Sequence, residues 1–221
     1  MIARRRLATG AVLALAAMSH ASSSNADEPT PSRAAIGNDL RSYYAGERAS
    51  AYVVGGLGVA AIGGGSVLVT RGTDFARGLG WSLLAIGRID VIGAVFYTFQ
   101  VAAQVDRYES YLAHDPAAYK RVEGDHITGT TSRFVGYKLG ELGLVLTGAG
   151  IATYGFASNR DAWKGAGIGV AAMALPVLVI DTINGARAAR YRDRVRDFQP
   201  TVAVTPGVAG APWTLAVGGK F

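Results

Sequence analysis

Residues 48–65 read RASAYVVGGLGVAAIGGG, and from Ala51 to Val69 the only polar side chains are Tyr52 and Ser66. A helix that lies on a protein surface in water keeps one polar face. This stretch has none, so it reads as a membrane span. Its pattern returns at 133–150, RFVGYKLGELGLVLTGAG, where Arg48/Arg133, Tyr52/Tyr137, Gly55/Gly140, Leu57/Leu142, Gly58/Gly143, Gly63/Gly148 and Gly65/Gly150 are identical without a gap. Each copy opens a long apolar run that is followed, after a short polar break, by another. The chain reads as one helical hairpin used twice, although glycine-rich apolar segments also match through composition alone.

Working outward, four spans are expected at about Ser50–Thr70, Gly78–Gln100, Phe134–Phe156 and Trp163–Thr182. Each is long enough for a hydrocarbon layer of roughly 30 Å. The expected fold class is therefore an all-α membrane protein whose four transmembrane helices form a bundle over 50–184. Hairpin one covers 50–100, a polar connection 101–132, and hairpin two 133–184. Trp81, Trp163, Tyr154 and Phe156 fall at one membrane surface, and Tyr52, Tyr97, Phe134 and Tyr137 near the other, as aromatic belts do. Glycine weakens helices in water, but in lipid small residues four apart let two backbones approach closely. Gly56, Ala60 and Gly64 form such a stripe in the first span, Gly136 and Gly140 in the third, and Gly165 and Gly169 in the fourth. Pro176 is expected to kink the fourth helix and free a carbonyl near Ala172.

The flanks have their own signatures. Residues 1–26 join a basic start, an apolar core from Leu7 to Met18 and small residues before plausible cleavage sites, the pattern of a secretory signal peptide. Residues 27–49 read as an exported leader, helical near its end. Residues 185–198, GARAARYRDRVRDF, place Arg187, Arg190 and Arg194 at helical spacing. They extend the last helix into solvent, with anionic headgroups as a second use for the arginines. In 199–221 the period changes to two, with Trp213, Leu215, Val217, Gly219 and Phe221 alternating after a Pro206-Gly207 turn, so a small β-hairpin tail is expected. The terminal phenylalanine resembles the closing strand of outer-membrane barrels, but the chain lacks the strands a barrel needs.

A cleaved signal peptide places both termini outside a bacterial inner membrane, with outer-membrane association as the alternative. The positive-inside rule opposes this, because Arg71, Arg77, Arg160 and Lys164 would lie inside and twelve basic residues between Arg33 and Arg196 outside. The signal peptide is given precedence. The net charge of +6 does not indicate nucleic acid. Without Arg4, Arg5 and Arg6, nineteen basic residues face sixteen acidic ones, and no basic stripe interleaved with aromatics appears outside the C-terminal segment.

Charged side chains within spans are costly and rarely face lipid. Here they are Arg88, Asp90, Lys138, Glu141 and Asp181. One expectation is a buried charge network, for example Arg88 with Glu141 and Lys138 with Asp181, that holds the hairpins in register. The other is an ion path in which Asp90 and Glu141 bind a cation or proton. The absence of cysteine removes thiol chemistry. His114, Asp115, Glu123, Asp125 and His126 match no zinc spacing, and Asp115 before Pro116 is better read as a helix cap. GxSxG, Walker-type and HExxH motifs are absent. The expected protein is non-enzymatic, without metal or cofactor, and serves assembly or interaction in the envelope. Its partners would be membrane lipids, a further copy of itself or another envelope protein. The alternative is a channel or carrier for a small ion.

Overall fold

The computed structural model describes residues 30–200, and beyond them the backbone of Ala203–Val204 and Leu215–Ala216. The chain forms four helices: α1 (Arg33–Arg71), α2 (Asp74–His114), α3 (Pro116–Ala157) and α4 (Asp161–Asp197). All four are long and apolar enough to cross a membrane. Neighbours in sequence run antiparallel, so the two short turns lie at one end and Asp115 at the other. Side-chain caps set three of the four starts. Ser32, Thr73 and Asp115 accept from the backbone N–H groups of Ala35, Ala76 and Ala118. Asn159, in the left-handed region at φ 53°, closes the turn between α3 and α4.

With 37 to 42 residues each, the helices are about 55–63 Å long at 1.5 Å per residue, roughly twice an apolar span. The expected connection is therefore not a loop, and the leader, expected to be helical near its end, is helical from Arg33 onward. Residues 101–132 continue α2 to His114, turn at Asp115 alone and return as α3. The leader from Arg33 is the start of α1, and the arginine-rich segment is the end of α4. The physical reason is apolar periodicity beneath a polar surface. Ile36, Leu40, Tyr43 and Glu47 line the inner side of α1; Val101, Val105, Tyr108 and Leu112 that of α2; Tyr119, Glu123, Ile127 and Phe134 that of α3. In α4, Asn184, Ala188, Tyr191, Val195 and then Phe198 complete the set. Spacings of three and four put these residues on one stripe, and the four stripes close a core like that of a soluble bundle.

The other half is built differently. Within the most apolar stretch of each helix only 17–22 % of residues are buried. Ile89, Ile92, Phe96 and Phe99 on one face of α2 are 69–74 % exposed. Backbone proximity, not side-chain interdigitation, holds this half together. A methyl at Gly58 would stand 2.7 Å from the Gly87 carbonyl oxygen, and one at Gly65 would stand 2.7 Å from that of Gly80, so α1 and α2 touch through their main chains. Gly148 and Gly167 do the same for α3 and α4. The hairpins meet at the short-turn end, where Gly165 and Gly169 lie against Phe75 and Leu79, and Ser82 Oγ donates to the Ala166 carbonyl at 3.0 Å.

Two sequence expectations need correction. Gly56 and Gly64 have nothing within 4 Å, Ala60 is exposed, and Gly136 and Gly140 are equally open, so these stripes do not join helices within the chain; only Gly165 and Gly169 do so. The working set on α1 is displaced to Gly58, Ala61 and Gly65. Nor do the matched glycines of the two copies share a job. Gly58 and Gly65 pack tightly while Gly143 and Gly150 are open, and Gly148 packs while Gly63 is open. The copies align in sequence but not in packing. α4 runs on through Pro176. The expected signal peptide lies outside the described residues, as does most of the tail. Of the expected tail hairpin, only Ala203–Val204 and Leu215–Ala216 fall among the described residues, paired antiparallel over two residues each, and the rest is outside them.

Candidate functional site

At the border of the two halves the hairpins part, and a cavity of about 370 Å³ lies between them. All four helices line it at one level: α1 near Glu47, α2 near Tyr97, α3 near Phe134 and α4 near Asp181. Its back is buried. Toward α2 and α3 it opens past Gly93, Gln100, Arg133 and Tyr137, all exposed.

Glu47 is the central group of that back wall. It is 1 % exposed; Tyr97 Oη donates to its Oε2, while Oε1 has no partner. Beside it Ser50 Oγ donates to Asn184 Oδ1 at 2.9 Å, and Arg187 Nη1 donates to the same oxygen at 3.0 Å. Arg187 lies behind Glu47, packed on Gly46, and does not line the cavity. Burial raises the Glu47 carboxyl above its usual range, against the pull of Tyr97 and Arg187.

One layer farther into the polar half a second carboxyl is enclosed by tyrosines. Glu123 is 0 % exposed and accepts from Tyr44 Oη at 3.1 Å. The Tyr108 and Tyr191 hydroxyls lie close by, yet Oε2 has no partner. Tyr119 and Tyr191 join hydroxyls at 2.8 Å, and Tyr43 stacks on Tyr191 with ring centroids 4.7 Å apart. Burial pushes Glu123 up to about 8, more than the surrounding hydroxyls pull it down. His126, facing the Tyr108 ring at 5.6 Å, is held below its usual value by burial and by Arg133 and Arg107.

Of the charged residues expected within the spans, Asp181, Glu141 and Lys138 come together. The two carboxyls adjoin across α3 and α4, with Lys138 near both and its Nζ against Gly185. Asp181 also lines the cavity. Asp90 is apart from them, tucked against Gly58, and Arg88 is exposed without an ion pair among the described residues. The expected pairing of Arg88 with Glu141 is therefore replaced by Lys138 facing Glu141 and Asp181 together. The arginines of the last helix also divide. Arg194 Nε meets Asp39 Oδ2 at 2.9 Å, Arg187 turns inward, and Arg190 is exposed.

Glu47 at the border has no signal among the sequence candidates, and Glu123 stands there only as one of five loosely grouped metal-ligand types that match no spacing, not as a buried carboxyl. Both stand on polar stretches that hydropathy alone passes over. Glu123 nevertheless lies four residues after Tyr119 and four before Ile127, a buried position by helical spacing.

The fold and site thus define a class: a four-helix bundle with a soluble-type core at one end, an apolar exterior at the other and a polar cavity between. Compared with known proteins, the chain matches no family model, no curated protein and no solved structure.

Proposed function

We propose that this chain is a non-enzymatic integral membrane protein of the bacterial envelope whose work is binding and assembly at its polar half and border cavity. What supports the reading most is the contrast between the halves. The polar half has a continuous aromatic core and an accessible cavity. Residues 49–70, 78–87, 142–157 and 165–180 contain no Asp, Glu, Lys, Arg or His, and glycine contacts draw their backbones together. No acidic, basic or imidazole side chain in those segments offers a continuation from Asp181 and Glu141 to the short turns. The open small-residue faces at Gly56–Ala60–Gly64 and Gly136–Gly140 leave room for lipid or for a further copy of the chain. The inner membrane, with both termini exported, remains the preferred placement.

A second reading is favoured by the meeting of Lys138, Glu141 and Asp181, which is the composition of a proton or cation carrier site. The two separate in liposomes containing the purified chain and an internal pH- or sodium-sensitive dye. Flux no greater than in empty liposomes is expected. Flux from the unaltered protein that Glu141→Gln and Asp181→Asn abolish, with helical content intact, would establish the carrier and remove the binding reading.

A further inference from the structure

The border cavity has a chemistry of its own. Its two acidic groups, Glu47 and Asp181, stand at the back on α1 and α4. Glu47 is almost wholly buried and still has an oxygen without a partner, an arrangement that costs stability unless something comes to meet it. Around these acids are the rings of Tyr43, Tyr44, Tyr97, Phe134 and Tyr137. Among the described residues the one arginine that lines the space, Arg133, is exposed at the mouth.

We propose that this cavity binds an organic ammonium group, with Glu47 and Asp181 as its counter-charges and the five tyrosine and phenylalanine rings as its walls; the assignment rests on the binding reading above. Other ligand classes fit less well. A bare calcium or magnesium ion needs six or more oxygens within about 2.6 Å, whereas this space is large and its walls are mainly rings and aliphatic side chains. An anion would find its only lining arginine at the rim and two carboxyls behind. A purely apolar guest would leave Glu47 Oε1 unmet. An ammonium group satisfies both parts, because aromatic faces attract cations and a buried carboxyl needs one.

Two sources can present that group, a lipid headgroup and a free amine. The height of the cavity favours the lipid. It lies where the apolar segments of all four helices end, at the level of headgroups, and it opens sideways between α2 and α3. A phosphate one short link from the ammonium would then meet Arg133. Binding is also expected to release a proton from Glu47, whose carboxyl burial holds high. The groups facing that carboxyl are Tyr43 on its own helix, Tyr97 on α2, His126 and Arg133 across the cavity on α3, and Asp181 and Arg187 on α4.

The test is calorimetric titration of the full chain in maltoside micelles. Choline is compared with 3,3-dimethylbutan-1-ol, its neutral isostere, and dihexanoyl phosphatidylethanolamine with dihexanoyl phosphatidylglycerol. Saturable binding of choline at least tenfold tighter than that of the alcohol is expected, together with a preference for the ethanolamine lipid. The heat should vary with the ionisation enthalpy of the buffer. Glu47→Gln should weaken choline tenfold or more, and Asp181→Asn should weaken it as well, with unchanged circular dichroism. If Arg133→Gln weakens the lipid alone, the lipid is the source; if the lipid binds no better than choline, the free amine is. Equal binding of choline and its isostere, binding of both lipids that is tighter than choline's but equal between them, or no saturation by any of the four overturns the proposal even if neither variant folds. A liposome flux assay on the same preparation separates the two levels. Absence of flux with no ammonium binding removes only the ligand assignment, whereas flux removes the reading beneath it.

Discussion

Gly58→Leu is expected to break hairpin one, whereas Gly56→Leu, two residues away, is expected to leave it intact. At Gly58 even a Cβ would stand 2.7 Å from the Gly87 carbonyl oxygen and 2.9 Å from a Val91 methyl, so α1 and α2 cannot keep their spacing around a leucine. The first neighbour is main chain and cannot rotate away. Overpacking ordinarily costs about 1–3 kcal/mol, and a collision with backbone belongs at or beyond the upper end. At Gly56 nothing lies within 4 Å, and an apolar side chain there would replace glycine on an already apolar surface while improving helix propensity by up to about 1 kcal/mol. Thermal aggregation of the two variants in detergent checks the pair. Gly58→Leu should lower the midpoint by 10 °C or more or abolish folded protein, and Gly56→Leu should change it little. The reverse order would mean that the stripe visible in the sequence is the one that packs.

Glu123→Gln is expected to remove most of the pH dependence of stability that this chain shows on the alkaline side. The Glu123 carboxyl titrates near 8 in the folded chain and near the ordinary 4.5 when unfolded. Between those values the folded state holds the extra proton, so Glu123's contribution is fully present below about pH 4.5 and is lost as pH rises through 8. At about 1.4 kcal/mol per unit, the loss has a ceiling of about 5 kcal/mol. Glu47 acts in the same direction, since burial raises it too. His126 acts oppositely: held low, it favours the folded chain increasingly as pH climbs toward its ordinary 6.5. Glutamine keeps the shape of Glu123 and remains neutral throughout. Melting followed by circular dichroism should show variant and parent alike near pH 5 and the variant higher by about 5–10 °C near pH 9. A variant that is less stable at both pH values would show that the charged carboxylate is what the tyrosines hold.

How far the sequence discloses this architecture depends on which half is read. The apolar half announces itself, because Ala51–Val69 has no polar face and its neighbours behave alike. Hydropathy finds all four apolar runs, and Asp115 before Pro116 discloses a helix cap, although not that the whole connection shrinks to that one residue. Hydropathy cannot identify the interface glycines, since α1 carries Gly55, Gly56, Gly58, Gly63, Gly64 and Gly65, and composition alone does not say which meet Gly80 and Gly87. The direction of close approach is set by the partner helix. The polar half was legible by a different measure. Val101, Val105, Tyr108 and Leu112 follow the four-three-four spacing of a bundle seam, as do Asn184, Ala188, Tyr191 and Val195, but charges between them lower the average and disguise helix as connection. The cavity was the least accessible. Asp181 was visible as a charge in an apolar run, whereas Glu47 and Glu123 look like ordinary surface acids until four helices enclose them. Arg88 shows the opposite: mid-run placement made it conspicuous, yet it faces outward.

The one-residue turn at Asp115 crowns helices about twice as long as an apolar layer is thick. With the apolar half in lipid, that summit stands roughly 25–30 Å above the headgroups, about three Debye lengths at physiological salt. Lys120 and Arg121 up there are electrically blind to the bilayer beneath, so their charges are free to greet whatever diffuses past in water. Down at the collar Arg133 stands exposed at the cavity mouth instead, so charges at the two levels address surroundings that do not sense each other.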